Sequence, residues 1–174
     1  MTTPWQRIGI LGATALLLGG AAACNQKAEA IEQPIEFNHQ AHVRKHKTPC
    51  TDCHTGAEKA ARAGLPSLQR CLLCHMKPQP EGKQPSSRER RVRQLAAQGA
   101  KIHWNRVTQN EGHVYFSHRV HVSLAKMSCT RCHGDVGKWK SPPTEPNSKL
   151  LSMSRCMNCH RQRGASNRCS ACHH

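Results

Sequence analysis

The sequence predicts a chain of loops and short α-helices with a minimal apolar core, wrapped around covalently attached groups. Three observations lead there. Two Phe, one Tyr and three Trp are all the aromatic residues among 174, and a domain of this size normally buries far more apolar material than these can supply. The pattern Cys-x-x-Cys-His occurs five times, at Cys50–His54, Cys71–His75, Cys129–His133, Cys156–His160 and Cys169–His173. A second pattern, Phe-x-His-x-x-His, occurs at Phe37–His42 and again at Phe116–His121, and each time its second His lies eight residues before the next Cys. Such a repeat in register marks a duplicated unit.

The chemistry of the first pattern is specific. Two thiols one helical turn apart can add across the two vinyl groups of one haem, and the adjacent His then ligates the iron as its proximal ligand. Zinc sites and disulfides also use paired Cys, but neither asks for a His directly after the second one. With 13 His in 174 residues, five such placements by chance have a probability on the order of one in a million. The expected cofactors are therefore five covalently bound c-type haems. The cofactor-binding residues are Cys50, Cys53, Cys71, Cys74, Cys129, Cys132, Cys156, Cys159, Cys169 and Cys172, and the proximal metal ligands are His54, His75, His133, His160 and His173.

Taken in order, residues 1–23 read as a signal peptide of the lipoprotein type: one cation at Arg7, an apolar run from Ile8 to Leu18, then Gly and Ala up to Cys24. Ten of the 11 Cys belong to the haem motifs, so Cys24 is left over and is the expected lipid carrier. A plain cleaved signal and an uncleaved anchor are the alternatives, and all three export the chain. Residues 24–33 form a tether. Residues 34–78 form a first unit with two haems, 79–110 a linker with a basic helix, and 111–174 a second unit with three haems. In the first unit, Pro66 and Ser67 start a helix that contains Cys71. In the linker, Ser86 and Glu89 read as a capping box, and the run from Ser86 to Gln98 as a helix ending at Gly99. Its Arg88, Arg90, Arg91 and Arg93 face solvent, haem propionates or an acidic partner. Residues 137–148 form a Pro-containing surface loop. Short helical segments over 150–160 and 166–173 carry the last two haems.

The net charge is +16, from 26 Lys and Arg against 10 Asp and Glu. Basic chains suggest nucleic acid or an anionic membrane, but every haem brings two propionates that need neutralising, so nucleic acid is not an expected partner. Eight His remain outside the haem motifs: His39, His42, His46, His103, His113, His118, His121 and His174. That is enough to close every iron with a second imidazole. His39, His42, His118 and His121 lie in the repeated frame and are the expected distal ligands. His113 is preferred as the fifth, ahead of His103, then His46 and His174. Met residues near the motifs are expected to pack on the rings instead.

The pattern Phe-x-His-x-x-His followed by Cys-x-x-Cys-His resembles the opening of class III multihaem cytochromes c. Over Gln33–Arg161 the segments QPIEFNHQAH, CTDCHTGAEKAARAGLPS, CLLCHM, IHWNRV, HVYFSHRVHV, CTRCHGDVG and CMNCHR are similar to the pentahaem subunits of alternative complex III, a bacterial quinol:electron-acceptor oxidoreductase. Related multihaem subunits serve menaquinone reductase complexes. In that family a His follows the Trp-x-Arg-Val element; here Thr108 stands in its place, which leaves the fifth axial position to His113 or His103. The resemblance implies a multihaem cytochrome c fold with bis-His iron, and a periplasmic or membrane-anchored carrier passing electrons between redox partner proteins, including a quinol-oxidising membrane complex. It implies no catalytic residues. The rival class, a multihaem reductase of nitrite or a metal ion, needs an open iron with acid/base groups beside it, and no such constellation is evident.

Overall fold

Two copies of one wide turn organise the chain. The computed structural model describes residues 30–147, 150 and 152–173. The expected signal peptide, the first part of the tether, Cys24 and His174 lie outside these residues. Gln40–Lys45 and Val120–Leu124 are both π-helical. Each closes with an amide reaching back five residues, His46 N–H to the Ala41 carbonyl at 3.0 Å and Ala125 N–H to the Val120 carbonyl at 2.9 Å. Each is followed by a Lys in the left-handed region, Lys47 at φ 58° and Lys126 at φ 53°. A non-Gly residue there is uncommon, and its recurrence at equivalent positions makes it a feature of the repeat. π-Helical turns of this kind concentrate at functional sites.

The two turns dock on each other's units. Gln40 N–H donates to the Trp139 carbonyl at 2.9 Å, and its repeat equivalent Arg119 donates to the Ala60 carbonyl at 3.0 Å. Side chains repeat the exchange. Arg44 pairs with Asp135 at 2.6 Å, and the equivalent Ser123 hydroxyl donates to the Glu58 carbonyl at 2.6 Å. Gly137 sits where a Cβ would meet Val43 Cγ1 at 3.1 Å, so the first turn packs directly on backbone from the second unit.

Five short α-helices follow in order: α1 Cys50–Cys53, α2 Leu68–His75, α3 Ser87–Ala97, α4 Cys129–His133 and α5 Met153–Gln162. Single 3-10 turns at Val136–Lys138 and Cys169–Ala171 complete the described elements. As expected, Ser86 caps α3, its hydroxyl accepting from Glu89 N–H at 3.2 Å, and Gly99 adopts φ 61° just past the end. Helix α5 begins at Met153, later than the expected start at 150, and the expected helix over 166–173 is one 3-10 turn joined to the rest by a bridge between Val114 and His173.

Among the described residues, five side chains form the buried apolar set: Ile35, Ala57, Leu68, Val92 and Leu95. Four of them form one cluster where α2 meets α3. On α3 the spacing of Val92, Leu95 and Ala96 puts an apolar stripe against α2. The segment expected to act only as a linker thus supplies half of this cluster. Trp104 closes its edge and donates from Nε1 to the Pro66 carbonyl at 2.7 Å. Glu32 and Gln33, the end of the expected tether, are tied to Asn105 through its side-chain amide at 2.6 Å and its carbonyl at 2.8 Å. So small a core cannot by itself position five motifs spread from residue 50 to residue 173.

Candidate haem centres

Each Cys-x-x-Cys-His motif sits on one short turn of helix, which brings its two sulfurs to the same side of the chain. The ten motif cysteines are half-buried or exposed. Burial pushes the thiols of Cys53, Cys71, Cys129 and Cys156 above their ordinary value. Thiols of neighbouring motifs add to that shift: Cys74 acts on Cys53, Cys53 on Cys71, Cys50 on Cys129, and both Cys172 and Cys132 on Cys156. Thiols of the first motif therefore lie near those of the second and third, and the Cys156 thiol near those of the third and fifth.

The histidines stand in pairs across gaps. His42 faces His75 with ring centres 6.0 Å apart, His118 faces His133 at 6.3 Å with the planes within 3°, and His121 faces His160 at 6.1 Å. His113 lies 5.3 Å from His173. His39 is half-buried and its pKa is lowered to about 4, first by burial and then by His54 and His42 beside it. His133 is lowered by burial, then by His118 and His54. Four motif His thus face an imidazole from outside the motifs, and the fifth, His54, lies near enough to His39 to act on its charge. The pairing follows the repeat: the first frame His meets the first motif downstream, and the second meets the next.

One Phe in each frame sets this divergence. Phe37 meets His39 edge-on at 4.8 Å and stacks on His42 at 4.4 Å; Phe116 meets His118 at 4.9 Å and His121 at 4.4 Å with the same two orientations. The two rings of a frame thus meet the Phe in different orientations, one edge-on and one stacked, and lie near different motifs. His46 and His103 are exposed and make no ring contact with a motif His.

Backbone carbonyls fix the ring orientations. Nδ1 of His42, His54, His118, His121, His160 and His173 lies 2.7–3.2 Å from the carbonyl oxygens of Asn38, Gly64, Ala61, Ser117, Ser166 and His113. A carbonyl only accepts, so Nδ1 carries the proton and donates, and Nε2 keeps its lone pair for a metal. His75 differs: its Nδ1 lies 3.6 Å from the Glu89 carboxylate. His39 Nδ1 is buried without a hydrogen-bond partner. Burial would raise the Glu89 pKa, but the hydrogen bonds and charge of Arg93, with His75 close by, hold it below the usual carboxylate range.

These residues fit haem. Two imidazoles on opposite sides of one transition-metal ion, with bonds of about 2 Å and each ring centre roughly 1 Å behind its nitrogen, stand about 6 Å apart. Three of the pairs have that spacing, and the 5.3 Å pair would open slightly. Among the described residues no three His, Cys, Asp or Glu converge on one point, so the donors come as opposed pairs rather than as a tetrahedral cluster. Exposed apolar side chains flank the motifs, among them Leu73 and Leu124 at 62% exposure and Met153 at 60%, a surface suited to cover by a flat macrocycle.

Known families match both halves of this arrangement. The class III cytochrome c family matches residues 20–98, and cytochrome c7 and related cytochromes c match residues 114–174. The multiheme cytochrome c subunit of menaquinone reductase from Nitratidesulfovibrio vulgaris (strain Hildenborough) is 30% identical over 181 aligned residues, covering 91% of this chain and 85% of that protein. The chain belongs to the class III multihaem cytochromes c. It is a covalent c-type haem protein of an electron-carrying family, with the loop-and-short-helix fold that the sequence predicts. Among the described residues of this cytochrome, no helix is long and apolar enough to cross a membrane.

Sequence reasoning did not find the Nδ1 partners. Four of the six carbonyls belong to residues outside the two motifs, and any residue type supplies a carbonyl. Asn38 and Ser117 were within reach, since each precedes the second frame His by four residues, the spacing of one wide turn. Glu89 carried a signal that pointed only to helix capping.

Proposed function

We propose that this cytochrome is a pentahaem electron wire whose irons are all closed by two imidazoles. The observation that carries this reading is that four motif His each face a partner imidazole, with His39 near the fifth, His54. The pairs are His39 with His54, His42 with His75, His118 with His133, His121 with His160, and His113 with His173. The two Cys of each motif tether one haem, which supplies the one-electron iron couple. The paired imidazoles would hold its iron, and carbonyls at Nδ1 hold six of the rings in one tautomer. Donor atoms held this way stay in place when the charge at the metal changes, which keeps reorganisation small. Two imidazoles lack the stabilisation of ferrous iron that a Met ligand gives, so the potentials are low relative to His/Met cytochromes. No motif His is left with an open opposite face, which favours a carrier over a reductase.

The adjacency of the thiols supports an order along the wire: the haem of His75 at one end, then those of His54, His133, His160 and His173. The two units, 34–78 and 111–174, are read as a duplicated pair, with 79–110 bracing the first. The relative's role in menaquinone reductase supports a place in a quinone-linked membrane complex on the periplasmic side of a bacterial membrane, and Cys24, left over from the haem motifs, is read as the lipid anchor. Cys24→Ser is expected to move the protein into the soluble periplasmic fraction; a mutant that stays on the membrane would mean that partner subunits hold it.

Pyridine haemochrome assay with intact mass tests the cofactor count directly. Five haems per chain are expected, and a mass short by one or more haems would overturn the pentahaem reading.

A further inference from the structure

Helix α3 places one carboxylate where three of the other haem centres have a carbonyl. Glu89 is the third residue of α3, and in a capping box its side chain would turn back to the helix start. It turns inward instead. Its Oε1 accepts from Gln79 Nε2 at 2.6 Å and from Arg93 Nε and Nη2 at 3.1 and 2.7 Å, and lies 3.6 Å from His75 Nδ1. Arg93 is anchored in turn by donating to the Lys77 carbonyl at 2.8 Å. The Glu89 side chain is 15% exposed, the most sheltered carboxylate among the ion pairs of the described residues. His54, His160 and His173 have neutral carbonyl oxygens at the equivalent nitrogen, at 2.8, 2.7 and 3.2 Å.

We infer that Glu89 is a positioning residue that sets the potential of the His75 haem below the value that a carbonyl partner would give. The inference rests on the proposed ligation by His75. An anion facing the remote nitrogen raises the basicity of an imidazole ligand. A more basic ligand favours ferric over ferrous iron, so the haem is harder to reduce. Arg93 offsets part of the charge while fixing its place, so the effect is a balance of two opposite neighbours. The separation of 3.6 Å is an ion-pair distance rather than a hydrogen bond, and the influence acts through the field of the carboxylate in a sheltered site. The duplicated unit has no counterpart: His160, the repeat equivalent of His75, faces the Ser166 carbonyl.

The test is a spectroelectrochemical titration of the full-length haem-loaded protein with Glu89→Gln and, separately, Arg93→Gln. In Glu89→Gln one component of the titration should move to higher potential. At a fixed potential its reduced-to-oxidised ratio should rise on the order of tenfold, about 59 mV for a one-electron couple, with the other components unmoved. In Arg93→Gln the same component should move the opposite way. That component must be the one whose iron His42→Ala opens to carbon monoxide. Unchanged potentials in Glu89→Gln, or the same direction of shift in both variants, would overturn the inference. So would loss of haem or a high-spin signal in Glu89→Gln, since the carboxylate would then be holding the site together. Fewer than five haems on the unsubstituted protein would instead fault the underlying count, and that is read independently from its mass.

Discussion

The two Phe-x-His-x-x-His frames differ little in themselves and much in what surrounds them. Both make a π-helical turn, both place a Lys in the left-handed region afterwards, and both hold two imidazoles on one Phe with the same two orientations. Beyond the frame they diverge. The first frame's second His reaches a motif on α2, braced by α3 and the apolar cluster; the second frame's reaches α5, which has no buried residue. The pairing of the imidazoles therefore goes with the local turn that both frames share. The environment around each pair differs between the units.

The sharpest way to break this comparison is to remove the frame histidines one at a time. His118→Ala is expected to open the haem of His133 and His121→Ala that of His160. His39→Ala and His42→Ala should open those of His54 and His75 in the same way. Each variant should gain about one carbon monoxide site per chain, since one iron loses a strong axial donor, while His46→Ala gains none. Two variants of one frame opening the same iron would break the equivalence and the pairing with it.

A smaller effect is expected at the Phe that separates the rings. Phe37→Ala and Phe116→Ala each remove two ring contacts, worth about 0.5–1.5 kcal/mol apiece. Each should lower stability by roughly 1–3 kcal/mol, read as a fall in thermal midpoint, and the two losses should agree. A loss in one frame only would show that the shared geometry carries unequal weight.

Much of the candidate site was legible because its chemistry is written in spacing. The motifs at Cys50–His54 and its four counterparts needed no tertiary information, and the repeat pointed to His39, His42, His118 and His121. Which motif each of them meets was not legible, because His42 reaches His75 and His121 reaches His160 across 30 or more residues of chain. The wide turns were missed because apolar periodicity signals α-helix or strand and has no signature for a π-turn. The part that 79–110 plays in the core was hidden by its charge. Four Arg mark a solvated helix, and Arg88, Arg90 and Arg91 are exposed, while Val92 and Leu95 are buried on the other side. The expected helix over 166–173 shrank to one turn because Ser166 gives its carbonyl to His160 and Arg168 is extended, leaving three residues to coil.

The central claim, that five irons are each held between two imidazoles, is tested most directly by quantitative ferric EPR of the fully loaded protein. Low-spin signals integrating to five irons per chain are expected, with high-spin signal below about a tenth of one iron, since four motif His face a partner imidazole and His39 lies near the fifth, His54. A high-spin signal integrating to a whole iron, or a low-spin total short of five, would contradict it.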